Sequence, residues 1–291
     1  RCIERCENME TVTLNNGYKL PLQGFGVFQI TDLKQCEESV GNALKAGYRF
    51  IDTAACYGNE KAVGNAIANS GIARNEICIA SKVWIQDSGY KKTMKSFEKT
   101  LENLKTDYID LYLIHMPYGD YHGSWRAMEE LYRQGKIKAI GVCNFLEDRL
   151  VDLLLSHEIK PMVNQIEFHP FYQQKKLQNI CDKYDIQIMA WAPFAQGILI
   201  FFIMKHCVQL VKKYNKSNAQ VILRWLYQNH IIAIPKSVHE DRIKQNYAIH
   251  DFSLTQEDLQ TIQTMDKEIP LILNITDLAE VYRLHGITFE Q

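Results

Sequence analysis

Phe50-Ile51-Asp52-Thr53-Ala54-Ala55-Cys56-Tyr57-Gly58-Asn59-Glu60 carries a short β-rich run, begun at Tyr48, into an acid, a few small residues and a phenol. The run stops at Asp52, and Gly58-Asn59 supplies turn chemistry behind it. Two later runs finish in the same manner: Glu76-Ile77-Cys78-Ile79-Ala80-Ser81 meets Lys82, and Tyr108-Ile109-Asp110-Leu111-Tyr112-Leu113-Ile114 meets His115. As parallel neighbours in one sheet, these runs would bring an acid, a phenol, an amine and an imidazole together at their carboxyl ends.

The surrounding chain supports that arrangement, because strand-like runs alternate with amphipathic stretches of helical length. Strands are expected at Leu22–Phe28, Tyr48–Ile51, Ile77–Ser81, Tyr108–Ile114, Ile137–Val142, Met162–Ile166, Ile186–Ala190 and Ile231–Ile234. Helices are expected between them at Asp32–Ala46, Lys61–Ala68, Tyr90–Leu104, Ser124–Gln134, Leu146–His157, Gln174–Tyr184 and near Val208–Tyr214, with another from Val238. Eight such units favour closure into a (β/α)8 TIM barrel over an open sheet. Asn218–Gln228 and Thr255–Met265 read as two extra helices. Asn15-Asn16-Gly17 between Val12-Thr13-Leu14 and Tyr18-Lys19-Leu20 predicts a β-hairpin serving as a lid on one barrel end. Arg1–Glu10 reads as an unstructured leader with Met9 a candidate start.

A length of 291 residues suits one barrel domain, and 46% hydrophobic with 23% charged residues suits a large core. The formal net charge of −1 gives no reason to expect nucleic acid or an acidic membrane as partner. Eight scattered cysteines read as free thiols of a reducing compartment, and the sequons at Asn215 and Asn274 as chance. With no signal-peptide core in Arg1–Leu20 and no run long enough to span a bilayer, a cytoplasmic monomer is expected. The nine histidines show no His-x-His or H-E-x-x-H spacing, which disfavours a metal-dependent barrel hydrolase, and no metal is expected.

From Leu14 to about Leu259 the chain resembles the aldo-keto reductase family. The resemblance rests on Gly47-Tyr48-Arg49-Phe50-Ile51-Asp52-Thr53-Ala54 with Tyr57-Gly58-Asn59-Glu60, on Ser81-Lys82-Val83-Trp84, and on Asp110-Leu111-Tyr112-Leu113-Ile114-His115. It continues through Gly141-Val142-Cys143-Asn144-Phe145, Asn164-Gln165-Ile166-Glu167-Phe168-His169-Pro170 and Ile234-Pro235-Lys236-Ser237. Within the family, the short bacterial-type reductases similar to the diketogluconate reductase and prostaglandin F synthase groups are nearest. The resemblance implies a catalytic tetrad of Asp52, Tyr57, Lys82 and His115 in an NADPH-dependent reduction of aldehydes or ketones, with NADH a weaker cofactor. Tyr57 would give the proton, Lys82 would lower its pKa, Asp52 would hold Lys82, and His115 would donate to the substrate oxygen. Taken singly, the same residues also suit a structural ion pair and a satisfied core histidine.

No G-x-G-x-x-G is present, so a Rossmann fingerprint is absent. By resemblance, Asn144 and Gln165 would take the nicotinamide carboxamide and Trp191 would stack on its ring, with Val27, Cys143, Pro193 and Gly197 alongside. Lys236, Ser237 and Arg242 would grip a 2′-phosphate, with Val238, Gln245 and Asn246 on the same segment. Phe28, Trp84 and Met116 would join His115 in an apolar substrate pocket. Three departures stand out: Cys143 in place of a serine, Gln245 in place of an acid, and the apolar run GILIFFIM at Gly197–Met204, read as buried. The short segments after His115 and Trp191 suggest an open mouth. The second reading is a nucleotide-binding regulatory module like the potassium-channel β subunits, which share this barrel.

Overall fold

The computed structural model describes residues 10–195 and 208–290. The expected leader and the Gly197–Met204 run, Gly197 included, lie outside the described residues, save Glu10. Ten strands are present among those described. The hairpin strands β1 (Thr11–Thr13) and β2 (Lys19–Pro21) pair antiparallel. Then come β3 (Phe25–Gly26), β4 (Phe50–Asp52), β5 (Cys78–Val83), β6 (Ile109–Ile114), β7 (Ile137–Cys143), β8 (Val163–Glu167), β9 (Gln187–Trp191) and β10 (Ile232–Ala233). These eight form one sheet in chain order, every pairing parallel.

A parallel bridge between Gln23 and Ala233 joins the two ends of that sheet. The Gly24 N–H donates to the Ala233 carbonyl at 2.9 Å, and the Gly26 N–H to that of Pro235 at 3.1 Å. The molecule is therefore a (β/α)8 TIM barrel. The seam is tight: a Cβ at Gly26 would stand 2.7 Å from the Ile234 carbonyl oxygen, which is backbone and cannot swing aside. We expect Gly26→Ala to cost about 1–3 kcal/mol through forced overlap. An unchanged midpoint in chemical denaturation would show that the seam yields.

Strands of such a barrel are covered on both faces, which explains why they read as continuous apolar runs instead of alternating ones. Every residue of β4, β6 and β8 is buried. The first strand is shorter than Leu22–Phe28, because the chain turns after Val27, whose carbonyl accepts the Ile30 N–H at 3.2 Å, with Gln29 in a left-handed conformation (φ 64°). The hairpin lies across the amino ends of the barrel: Asn15 Nδ2 donates to the Pro161 carbonyl at 3.1 Å and Asn16 Nδ2 to that of Lys138 at 3.0 Å. It therefore closes the end opposite the carboxyl termini of the strands.

The helices that follow the barrel strands are α1 (Leu33–Ala46), α2 (Glu60–Ala68), α3 (Tyr90–Leu104), α4 (Tyr121–Arg133), α5 (Glu147–Ser156), α6 (Lys175–Tyr184), α7 (208–214) and α8 (Asn218–Gln228), and, after β10, α9 (Glu240–Tyr247). In α1, Asp32 caps the start by accepting from the Gln35 N–H, and Cys36, Val40, Ala43 and Leu44 turn inward as their spacing predicts. Helix α4 starts three residues ahead of the expected Ser124, because Asp120 accepts from the Gly123 N–H and caps it there.

Past the barrel lie α10 (Gln256–Gln263) and α11 (Leu278–His285). Both helices expected as additions are present, as α8 and α10, and α11 joins them from beyond the stretch that resembles the family. Its short pattern exposes Leu278 and Tyr282 and buries only Leu284, so periodicity gives little sign of it.

Candidate active site

Three neighbouring strand ends meet at the carboxyl face. Asp52 closes β4, Lys82 lies near the end of β5 and His115 directly follows β6, whereas Tyr57 hangs in the short helical turn after β4. The Lys82 Nζ is fully buried and donates to Asp52 Oδ1 at 2.6 Å and to the Thr53 carbonyl at 2.7 Å. The Tyr57 hydroxyl is its third neighbour, at 3.4 Å. Asp52 Oδ2 accepts from Gln165 Nε2 at 2.8 Å, so both carboxylate oxygens are engaged and the buried pair is held at each end.

His115 sits on the other side of the phenol. Its ring lies 5.6 Å from that of Tyr57 and 4.9 Å from that of Trp84, edge-on to both, and its Nδ1 is 3.4 Å from the Cys56 Sγ. Burial, aided by the Lys82 charge, holds the imidazole well below the usual histidine range, so it is neutral near pH 7. Burial and the Asp52 carboxylate push the Tyr57 phenol well above its ordinary value. The lowered phenol expected from Lys82 is therefore absent at rest. The ammonium is aimed first at Asp52 and Thr53, and a desolvated phenol without a nearer cation keeps its proton.

These groups open onto a cavity of about 930 Å³. Asp52, Tyr57, His115, Phe28, Trp84 and Met116 line it, whereas Lys82 lies behind the wall. Asn144, Gln165, Trp191, Pro193, Lys236, Ser237, Arg242, Gln245 and Asn246 line it as well. Val27, Cys143 and Val238 do not. Val27 and Cys143 are buried, and burial pushes the Cys143 thiol upward. Asn144 adopts a left-handed backbone (φ 59°), and its amide bridges the site: Nδ2 donates to the His115 carbonyl at 3.1 Å, and Oδ1 accepts from Trp191 Nε1 at 2.9 Å.

The chain past residue 270 forms part of the cavity wall. Glu167, at the end of β8, accepts the N–H groups of Leu271 (2.8 Å), Ile272 (3.2 Å) and Leu273 (3.1 Å), and His169 Nε2 lies 2.9 Å from the same carboxylate. The chain then crosses the carboxyl face. Trp84 Nε1 donates to the Ile287 carbonyl at 2.9 Å, Gln86 exchanges two hydrogen bonds with Phe289, and Tyr118 donates to the Ile275 carbonyl. Leu273, Arg283, Leu284 and Ile287 thereby join the cavity wall. Sequence reasoning missed them, since contacts across roughly two hundred residues leave no local pattern. Cys56 was missed too, although it stands inside the decisive stretch.

The Aldo/keto reductase family model matches residues 24–267. Glyoxal reductase of Bacillus subtilis is 51% identical over 260 residues, covering 89% of this chain and 94% of that protein. An aldo-keto reductase from a Medee basin deep-sea metagenome superposes with a TM-score of 0.88 at 40% identity, covering 92% of this chain and 99% of the other. A Bombyx mori aldo-keto reductase solved in complex with NADP gives 0.85 at 30% identity, covering 94% and 97%. A matched stretch that spans all eight barrel strands, with half the residues shared with one relative, leaves a single assignment: this chain belongs to the aldo/keto reductase family.

Proposed function

We propose that the protein reduces aldehydes and ketones to alcohols with NADPH, Tyr57 giving a proton to the carbonyl oxygen. The observation that carries this reading is the Lys82 ammonium, fully buried, paired to Asp52 and within 3.4 Å of the phenol at the cavity wall. When bound, the nicotinamide supplies the hydride. The chain's own residues do the rest. Negative charge growing on the carbonyl oxygen needs donors already in place, and Tyr57 and neutral His115 are those donors. As the phenol releases its proton, the Lys82 ammonium stabilises the phenolate left behind. Its help is thus given during the reaction, not in the resting site.

The donor set suits the cofactor. Lys236 and Arg242 line the cavity, and among the described residues neither has a carboxylate within ion-pair distance; two unpaired cations beside the Ser237 hydroxyl suit a phosphate dianion. The amides of Asn144 and Gln165 stand beside Tyr57 and His115 on the same wall, where a carboxamide would need them. The Bombyx mori relative's NADP complex agrees with this reading.

The direct test is titration with NADPH while following tryptophan fluorescence, then NADPH oxidation with an aromatic aldehyde. Quenching and turnover are expected. Quenching without turnover of any carbonyl would favour a binding module, and no quenching would overturn the reading. Arg242→Ala should raise the Kd for NADPH by roughly tenfold or more and leave that for NADH nearly unchanged, as loss of a charge-assisted phosphate contact requires. Equal weakening of both would remove the phosphate role.

The pH dependence follows from the two shifts. Tyr57 is a proton donor below its pKa, and that pKa is raised, so the active form extends upward in pH. His115 is neutral above its pKa, and that pKa is lowered, so its active form extends downward. The kcat/KM for reduction should therefore stay flat from about pH 7 to about pH 9. A basic limb inside that window would contradict the protonated phenol.

A further inference from the structure

Cys56 stands one residue before Tyr57 in the turn that leaves β4, and it lines the same cavity as His115. Its Sγ is 3.4 Å from His115 Nδ1, within thiol hydrogen-bond reach. Trp84 and Tyr57 both pack edge-on against the imidazole, at 4.9 and 5.6 Å between centroids. A neutral imidazole has one donor and one acceptor nitrogen, and which is which depends on its neighbours.

Cys56 and His115 are both uncharged here: burial pushes the thiol up to about 12 and holds the imidazole well below its usual range. Between a thiol and an imidazole nitrogen, the ring lone pair is the strong acceptor and sulfur the weak one. An S–H aimed at Nδ1 is therefore the stronger of the two arrangements this distance allows. Among the described residues no protein group is hydrogen-bonded to the other ring nitrogen, Nε2.

We propose that Cys56 is a positioning residue for carbonyl reduction: by donating its S–H to Nδ1 it fixes His115 as the Nε2–H tautomer, leaving that N–H free to meet a carbonyl oxygen in the cavity. This rests on the roles given above to Tyr57 and His115. It adds that the donor face of the histidine is chosen by a thiol. Replacing that thiol with a hydroxyl keeps a donor, whereas valine fills the space without one.

The test uses full-length protein labelled with 15N-histidine. Two-bond proton–nitrogen spectra, with His115 assigned by its disappearance in His115→Asn, report the tautomer without any need for turnover. Wild type should show the Nε2–H form alone, Cys56→Val a substantial Nδ1–H population, and Cys56→Ser a return to Nε2–H. Aldehyde reduction should follow, with kcat/KM down about tenfold in Cys56→Val and most of that recovered in Cys56→Ser. Cys56→Ala removes the donor without bulk and should match the valine variant, which guards against a packing artefact. An Nδ1–H tautomer in the wild type, or an unaltered spectrum in both Cys56→Val and Cys56→Ala, would overturn the proposal. Because the spectra are read without substrate, failure to reduce any carbonyl would count against the enzymatic reading alone.

Discussion

Tyr57→Phe is expected to lower NADPH-dependent aldehyde reduction by about three orders of magnitude while leaving the fold and NADPH binding intact. The change is narrow in structural terms. The ring keeps its packing against Phe28, 5.0 Å between centroids, and Lys82 keeps Asp52 and the Thr53 carbonyl, so no buried donor loses its main partner. What disappears is an O–H beside the growing oxyanion, and removal of one such donor or acid typically costs factors of a hundred to ten thousand. The comparison is clean only if NADPH still quenches fluorescence and the Tm holds. A variant within about tenfold of wild type would assign the proton to another group.

Lys82→Met should have the second largest effect, and on stability as well as rate. Asp52 is 2% exposed, and with Lys82 gone it would retain only Gln165 Nε2 at 2.8 Å to offset its charge. Removing one member of a buried pair costs about 3–5 kcal/mol, since the remaining ion is left without its partner, and in a domain of this size that lowers Tm by roughly 10 °C. Asp52→Asn in the same chain removes the stranded charge, so the double variant should recover much of the Tm and none of the activity. Its amide oxygen still accepts from Gln165. A single variant as stable as wild type, or a double variant no better than the single, would mean that the pair contributes no electrostatic strut. The two variants separate cleanly: Tyr57→Phe loses rate alone, Lys82→Met loses rate and stability together.

The parts of this molecule that a reader of the sequence could reach are those dictated by local chemistry. Strand runs such as Tyr108–Ile114 are apolar throughout because both faces are covered, and the caps at Asp32 and Gly47 mark the ends of α1. The acid, amine and imidazole at the strand ends were legible too, since a strand that stops on a charged residue points it at the carboxyl face of a barrel. Less local features were not. The start of α4 depended on Asp120, whose capping role competes with an equally plausible turn. The strap over the mouth depended on Glu167, whose carboxylate gathers three backbone N–H groups from Leu271 to Leu273.

By itself the sequence determined the (β/α)8 rhythm, the acid, phenol, amine and imidazole near its strand ends and the cations Lys236 and Arg242 after β10, because periodicity and residue type act over a few residues at a time. Tertiary structure alone decided how those side chains behave. The Tyr57 phenol is held up, not down, because desolvation outweighs a cation already bound to Asp52. His115 faces a thiol at Nδ1, and the mouth is crossed by the chain beyond residue 270, because burial and long-range hydrogen bonds depend on positions that no short stretch encodes.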